Sequence, residues 1–272
     1  MAFAGQVGWI TGASSGIGAA LARALAASGV HLVLSGRNRD ALAAVAADLP
    51  VDTLILPFEV TQQEASLEAA DTAWDWAQSR SGGIDMLVNN AGISQRSLAV
   101  DTEYAVYERI VAVDLLAPIA LTQALLPRMM ARRTGRVVMM SSVAGKVGVP
   151  MRTAYCAAKF GLIGYADALR AETAEAGLSV HVIAPGSVRT DVSRNALTAD
   201  GSARGISDKA IENGLDPDTV ANEILQRMGA GEREIIIAAG AEQQMGESRR
   251  TPDGLLDQMA ALAVGYAQRM GC

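Results

Sequence analysis

Short apolar runs alternate with longer amphipathic stretches along most of this chain. The short runs are rich in Val, Ile, Leu and Met and are bounded by Gly, Ser, Pro or Asn, which is typical of strands buried on both faces. The predicted strands are residues 7–10, 31–35, 53–56, 86–89, 137–140, 180–184 and 234–239. The predicted helices are residues 16–28, 40–49, 63–80, 104–132, 152–176, 216–228 and 252–270.

This alternation predicts βαβ units, because parallel strands need a crossover that places a helix on one face of the sheet. We expect a single α/β domain, with a Rossmann-type doubly wound parallel sheet and helices on both faces. It covers residues 1–240, and a C-terminal helical extension follows over residues 241–272. Pro118 and Pro127 predict a break or kink in the stretch 104–132.

One segment departs from the alternation. Residues 191–214 are dominated by Gly, Ser, Asn and Asp, with only scattered apolar positions. A loop of this length in a compact domain is usually functional or mobile. We therefore expect this segment, called the substrate loop below, to lie over a binding site.

Composition excludes several classes of protein. Half of the 272 residues are hydrophobic, which excludes a mainly disordered chain. A net charge of −6 without a basic stripe argues against a nucleic-acid partner. Two cysteines, Cys156 and Cys272, cannot build a disulfide framework, and the two histidines lack zinc-ligand spacing, so no metal is expected. With no targeting segment or membrane-spanning stretch recognised, the expected location is the cytoplasm, without a membrane partner.

A glycine-rich turn joins the first predicted strand to the first predicted helix. Its sequence is Thr11-Gly12-Ala13-Ser14-Ser15-Gly16-Ile17-Gly18. The free N–H groups and the dipole at the start of a helix favour a dinucleotide pyrophosphate there. Gly12 permits the tight turn, Gly16 lets the phosphates approach, and Gly18 lets the helix pack on the strand. S-adenosylmethionine is the competing ligand for such a turn.

Four motifs in order make the chain resemble the short-chain dehydrogenase/reductase family from about Gly5 to Ala239. They are the glycine turn, Asn89-Asn90-Ala91-Gly92, Ser142 with Tyr155-Cys156-Ala157-Ala158-Lys159, and Pro185-Gly186-Ser187-Val188-Arg189-Thr190. The resemblance implies a sheet in the order 3-2-1-4-5-6-7, a nicotinamide cofactor and a homodimer or homotetramer. The cofactor-binding residues that it implies are Gly12, Ser14, Ser15, Gly16, Ile17, Gly18, Glu59, Val60, Asn90, Ala91, Gly92, Val113, Tyr155, Lys159, Pro185, Gly186, Val188 and Thr190.

The charge after the second predicted strand favours NADP(H). Relatives that use NAD carry an Asp where this chain has Gly36, and Arg37 follows. A guanidinium pairs with the 2′-phosphate of NADP(H), whereas a carboxylate repels it. NAD(H) is the runner-up cofactor. The pair Glu59-Val60, expected beside the adenine at the end of the third strand, replaces the usual Asp-Val.

Tyr155 and Lys159 are the central chemical feature, because residues four apart lie on one face of a helix. An ammonium close to a phenol favours the phenolate, so Tyr155 is expected to exchange a proton with a carbonyl or alcohol oxygen. By resemblance, Lys159 also holds the nicotinamide ribose and Ser142 orients the substrate oxygen. The expected activity is the interconversion of a small, apolar carbonyl compound and a primary or secondary alcohol.

Asp114 stands where the family usually has an Asn that anchors a water near the lysine. A carboxylate still accepts a hydrogen bond from that water and can pair with Lys159, but it cannot donate as an amide does. Two alternatives therefore stay open beside the NADP(H)-dependent enzyme. One is an NAD-linked alcohol dehydrogenase, and the other is a catalytically weak sensor or scaffold that binds NADP(H).

Overall fold

The computed structural model describes residues 3–270, and it has a seven-stranded parallel sheet in the order β3-β2-β1-β4-β5-β6-β7. The strands are β1 (Val7–Thr11), β2 (His31–Ser35), β3 (Thr53–Ile55), β4 (Met86–Asn89), β5 (Gly135–Met140), β6 (Leu178–Pro185) and β7 (Glu234–Ile237). The helices are α1 (Gly16–Ala27), α2 (Arg39–Ala47), α3 (Gln63–Ser81), α4 (Tyr104–Val111), α5 (Ala117–Arg132), α6 (Thr153–Thr173), α7 (Lys209–Glu212), α8 (Pro217–Gly229), α9 (Gly240–Glu247) and α10 (Asp253–Met270). The predicted fold class and strand order are confirmed.

Each face of the sheet carries its own hydrophobic core, because successive side chains of a strand point to opposite faces. Along β1, Trp9 belongs to the core beneath α3, α5 and α6, whereas Ile10 belongs to the core beneath α1 and α8. Both side chains are fully buried. This two-sided burial explains why the strands are apolar throughout rather than alternating.

The strand order places a crevice between β1 and β4. Chain connections from these two strands leave in opposite directions, so the loops that follow them separate at the carboxyl edge of the sheet. In the pairing of β1 with β4, Ile10 lies opposite Val88, just before the glycine turn and the Asn90 segment begin. The predicted motifs therefore meet at this edge.

The stretch Tyr104–Arg132 differs in part from the prediction of two breaks. Residues Ala112–Leu116 form one π-helical turn between α4 and α5, with Pro118 at the start of α5. At Pro127, however, α5 continues as a helix, so the chain has no break there. The carbonyl left without a partner there belongs to Gln123, which is exposed and can bond to water.

By length and hydropathy alone, the same stretch could span a membrane, since an 18-residue window within it has a mean hydropathy of 1.8. Its Ile110, Leu121 and Leu125 instead pack in the protein core. Core helices of globular proteins commonly have this composition.

Other boundaries also differ from the prediction. β3 ends at Ile55 and β7 at Ile237, earlier than expected, and α9 begins soon after β7. The substrate loop contains the short helix α7, and the predicted extension contains α9 in addition to α10. Its last two residues, including Cys272, lie outside the described residues, as do Met1 and Ala2.

Candidate active site

The backbone around the glycine turn is packed so closely that Gly12 and Gly18 have no room for a side chain. A Cβ on Gly18 would lie 2.2 Å from the carbonyl oxygen of Gly12, and a Cβ on Gly12 would lie 2.8 Å from the Cα of Ala91. Gly12 and Gly16 also have positive φ angles of 65° and 54°. The turn thus has the compact, open backbone that a pyrophosphate group needs at the start of α1.

Asn90 fastens the glycine turn to the neighbouring strand. Its side-chain amide donates to the carbonyl oxygens of Thr11 and Gly12, at 2.9 and 3.2 Å. The backbone N–H groups of Asn90 and Ala91 both donate to the hydroxyl of Thr11, at 3.1 Å. Asn90 therefore shapes the cofactor crevice through the backbone.

A cavity of about 530 Å³ opens beside the glycine turn. Ser14, Ser15, Gly16 and Thr190 line it, and so do arginines to which the sequence analysis gave no role, Arg23, Arg189 and Arg194. Each arginine faces an acidic residue, namely Asp218, Asp216 or Asp191. Hydroxyls, helix N–H groups and guanidinium groups together form a donor set that suits a pyrophosphate.

Arg37 and Glu59 face each other at the adenosine end of the crevice. The side chain of Arg37 is 71% exposed, and its guanidinium lies 3.9 Å from the Glu59 carboxylate. β3 ends at Ile55, four residues before Glu59, although the N–H groups of Leu56 and Phe58 still donate to the carbonyls of Leu34 and Gly36, at 2.9 and 3.1 Å. Glu59 and Val60 therefore follow the paired segment and do not form the end of the strand itself. The Glu59 carboxylate accepts hydrogen bonds from the backbone N–H and hydroxyl of Thr61, at 3.3 and 3.2 Å.

Tyr155 and Lys159 lie on one face of α6. The ammonium of Lys159 is 5.6 Å from the centre of the Tyr155 ring. It donates to the carbonyl oxygen of Met140 at 2.9 Å, and its side chain is only 5% exposed. The amine is therefore anchored to the end of β5 and held beside the phenol, as the spacing predicts.

Asp114 lies in the π-helical turn and is fully buried. Its Oδ1 accepts from the backbone N–H of Ile93 at 2.8 Å, and its Oδ2 faces the Lys159 ammonium at 3.2 Å. The second contact is an ion pair without hydrogen-bond alignment, which leaves Oδ2 unsatisfied by the described residues. π-Helical turns occur frequently at functional sites.

The two buried charges shift each other's pKa. Burial raises the pKa of Asp114, although the charge of Lys159 and the N–H of Ile93 oppose this shift. Burial alone would lower the pKa of Lys159, but attraction to Asp114 and to the ionised form of Tyr155 outweighs it, so the pKa of Lys159 is raised. The site therefore keeps the amine protonated beside the phenol.

Ser142 and Ser141 have different surroundings. The Ser141 hydroxyl donates to the carbonyl oxygen of Lys159 at 3.0 Å and is buried, so it supports α6. The half-buried Ser142 hydroxyl donates to the carbonyl oxygen of Pro185 at 3.2 Å and accepts from the N–H of Ala144 at 3.1 Å. Of the two, Ser142 has the hydroxyl that can turn towards a substrate.

The segment after β6 is held from the C-terminal region. Glu242 of α9 accepts from the backbone N–H and the hydroxyl of Ser187, at 2.6 and 2.7 Å. A Cβ on Gly186 would lie 2.3 Å from the same carboxylate. Glu242 could not be predicted from the sequence, because no motif connects it with this segment.

The remaining predicted cofactor residues differ in exposure. Val188 is 3% exposed, and its side chain packs in the core. Ile17 packs on the same core but is half-buried. Thr190 lies against the turn, since a Cβ on Gly16 would be 3.0 Å from its methyl group. Gly92 borders Asp114 and Lys159, and Val113 is half-buried in the π-helical turn.

The doubly wound sheet, with a glycine turn at its switch point, defines a dinucleotide-binding α/β protein. A family model described as short chain dehydrogenase matches residues 6–201. The chain is also 41% identical over 234 residues to the dehydrogenase/reductase SDR family member 7B of Bos taurus, covering 84% of this chain and 72% of that protein. The chain belongs to the short-chain dehydrogenase family, a family of oxidoreductases.

Solved structures with bound nicotinamide cofactors have the same fold. One is a metagenomic short-chain oxidoreductase in complex with NADP, 28% identical, with a TM-score of 0.72 over 87% of this chain and 98% of its own. Another is a short-chain dehydrogenase/reductase from Burkholderia phymatum in complex with NAD. It is 21% identical, with a TM-score of 0.77 over 87% of this chain and 90% of its own, and its likeness concerns the fold alone.

Proposed function

We propose that this chain is an NADP(H)-dependent oxidoreductase that interconverts a carbonyl compound and a primary or secondary alcohol. The observation that carries the proposal is the Lys159 ammonium beside the Tyr155 ring, paired with buried Asp114 at 3.2 Å. When bound, a nicotinamide cofactor supplies the hydride chemistry. The residues of the chain supply the proton, the orientation of the substrate and the binding of the dinucleotide.

Tyr155 is the general acid and base of the proposed reaction. In reduction its phenol donates a proton to the carbonyl oxygen, and in oxidation its phenolate takes one from the alcohol. The ammonium of Lys159, 5.6 Å from the centre of the ring, stabilises negative charge that develops on the phenol oxygen during the transfer. Ser142 turns its hydroxyl from the carbonyl of Pro185 towards the substrate oxygen, where it stabilises developing negative charge.

The glycine turn, the hydroxyls of Ser14 and Ser15, and Thr190 would hold the pyrophosphate. This assignment rests on the cavity that they line and on the backbone that the glycines leave open. Lys159 would hold the nicotinamide ribose in addition to its effect on Tyr155. The glycine backbone lets a dinucleotide approach closely, and larger residues would not fit at Gly12 or Gly18.

Arg37 supports NADP(H) over NAD(H). Its side chain is largely exposed and its contact with Glu59 is long, so its guanidinium is available for a 2′-phosphate. The contact of Arg37 with Glu59 favours the alternative of an NAD-linked enzyme, because the negative charge of Glu59 partly neutralises Arg37.

The test is kcat/KM with NADPH and with NADH for the parent, for Arg37→Ala and for the neighbouring control Arg39→Ala. Losing one charge-assisted phosphate contact costs about 1.5–3 kcal/mol, or roughly tenfold to a hundredfold in kcat/KM. We expect that loss for Arg37→Ala with NADPH alone. Equal or better use of NADH by the parent, with no effect of Arg37→Ala, contradicts the assignment.

Exposed apolar side chains in and beside the substrate loop support a substrate that is apolar outside its reacting group. Leu98, Met151 and Ile206 are 52%, 45% and 63% exposed. A hydrogen bond joins the segments of Leu98 and Met151, since the N–H of Ser97 donates to the carbonyl of Met151 at 3.1 Å. A panel of ketones, aldehydes and quinones, followed by the loss of NADPH absorbance, tests this substrate class.

A further inference from the structure

The substrate loop is docked on the body of the protein by backbone hydrogen bonds. The N–H of Arg96 donates to the carbonyl of Leu197, and the N–H of Leu197 donates to the carbonyl of Ser94, both at 2.8 Å. The N–H of Glu103 donates to the carbonyl of Ala199 at 2.9 Å. The loop therefore forms a fixed wall next to the segment 94–97.

Three arginines converge on one carboxylate of this wall, that of Asp208. Arg96 donates from Nε to its Oδ2 at 2.7 Å, and Arg204 donates to its Oδ1. Arg152 lies 3.6 Å from the already occupied Oδ2. Asp208 is itself fixed, because its backbone N–H donates to the hydroxyl of Ser193 at 3.0 Å.

This cluster carries more positive than negative charge. Arg96 is 6% exposed in its side chain, and it also donates to the hydroxyl of Ser94 at 2.9 Å and to the carbonyl of Gln95 at 2.7 Å. Burial lowers the pKa of Arg96, and the charge of Arg152 adds to that shift. Because Arg96 and Arg204 occupy the two carboxylate oxygens, Arg152 retains donors for another anion.

Arg152 also lies three positions before the proposed catalytic residue in the sequence. It directly precedes α6, whose first turn contains Tyr155. The preceding residue, Met151, has a φ of 62°, a conformation that is strained for a side chain of this kind and is concentrated at functional sites. The N–H of Ala154 donates to Gln95 Oε1 at 2.9 Å, which fixes the start of α6 against the segment 94–97.

We propose that Arg152, held in place by Asp208, binds an anionic group of the substrate. The substrate class is then a carbonyl compound with a carboxylate or phosphate group, and this inference rests on the proposed oxidoreductase function. The planar guanidinium recognises either group with paired hydrogen bonds. Arg96 and Arg204 keep Asp208 occupied, so that Asp208 positions Arg152 without neutralising it.

The first test measures binding, so it does not depend on turnover. Benzoate, phenyl phosphate and the neutral control benzyl alcohol are titrated calorimetrically into the protein, with and without saturating NADP⁺, which blocks the pyrophosphate cavity. We expect benzoate or phenyl phosphate to bind in the presence of NADP⁺, and Arg152→Gln to weaken that binding at least tenfold. Arg109→Gln, at an exposed position of α4, is the control variant, and we expect it to leave binding unchanged. Absence of anion binding, or equal binding by Arg152→Gln, overturns the inference.

The second test compares matched substrates, hydroxyacetone phosphate with hydroxyacetone, and levulinate with methyl levulinate. For the parent, kcat/KM is expected to be at least tenfold higher for the anionic member of one pair, which identifies phosphate or carboxylate. Arg152→Gln removes that preference without lowering kcat/KM for the neutral ketone. If Arg152→Gln lowers kcat/KM equally for the anionic and the neutral substrate, Arg152 has a structural role and the inference is overturned. Anion binding that depends on Arg152 without reduction of any panel ketone or aldehyde supports the anion site while contradicting the proposed function.

Discussion

At the scale of single residues, the buried pair of Asp114 and Lys159 is the feature that most affects the chemistry. Removing two charges from water is costly, so a buried pair gives little net stability and is retained for another role. Here the Asp114 carboxylate raises the pKa of Lys159 against the opposing effect of burial. The pair thus keeps a positive charge next to Tyr155 at the pH where the phenol must exchange its proton.

Asp114→Asn tests this role through the pH dependence of kcat/KM. Without the carboxylate, burial acts on Lys159 with less opposition, so its pKa falls and the ammonium is lost at lower pH. We therefore expect the alkaline limb of the profile to move to lower pH. Asp75→Asn, at an exposed site of α3, serves as the control and keeps the profile of the parent. Coinciding profiles for Asp114→Asn and the parent would show that Asp114 does not set the charge of Lys159.

At the scale of elements, the site depends on segments that meet only in the folded chain. α9 lies after the last strand, yet its Glu242 holds the N–H of Ser187 beyond β6. The π-helical turn between α4 and α5 directs Asp114 towards α6. These elements position the cofactor crevice without supplying its reactive groups.

Glu242→Ala is expected to loosen the segment after β6. Hydrogen bonds to a charged group are worth about 1.5–3 kcal/mol, and two of them are lost. Only a part of this loss, about 1.4 kcal/mol, is expected to act on cofactor binding, because the segment is loosened and not removed; this part raises the KM for NADPH roughly tenfold. The change in kcat is expected to be smaller, because Tyr155 and Lys159 stay in place. Gln244→Ala, on an exposed position of the same helix, provides the matched comparison in steady-state kinetics. An unchanged KM for NADPH would show that Glu242 does not support the crevice.

The sequence predicts the elements and the chemistry that follow local periodicity. The Tyr155–Lys159 pair follows from helical spacing, and the glycine turn follows from its place between a strand and a helix. Glu242 and the Arg152–Asp208 contact could not be predicted, because both join residues distant in sequence that share no period. Glu59 lies beyond β3 because the regular strand ends at Ile55, although the N–H of Phe58 still donates to the carbonyl of Gly36 at 3.1 Å.

At the scale of the whole molecule, the C-terminal segment is part of the folded unit. α10 packs against α6, and Leu256 is 5% exposed. The buried ion pair of Lys146 with Glu234, at 2.7 Å, lies next to Thr251, whose backbone N–H donates to Glu234 at 3.1 Å. The segment that precedes α10 is therefore tied to β7.

Leu256→Ala is expected to destabilise the protein as a core truncation does. Such a change costs about 2–5 kcal/mol, which lowers the Tm by roughly 5–15 °C in a domain of this size. Leu255→Ala removes the same atoms from a side chain that is 45% exposed, so it should leave the Tm nearly unchanged. Calorimetric melting of both variants checks this difference. Equal Tm values for the two variants would mean that α10 does not belong to the cooperative core.

The most direct test of the proposed function is Tyr155→Phe, which removes a single hydroxyl beside Lys159. The variant is compared with the parent for NADPH binding, by titration calorimetry, and for the rate of NADPH oxidation with a ketone that the parent reduces. We predict that NADPH binding is retained within severalfold, whereas the rate of NADPH oxidation falls at least a hundredfold, the usual effect of losing a general acid. Oxidation of NADPH by Tyr155→Phe at the rate of the parent would contradict the account.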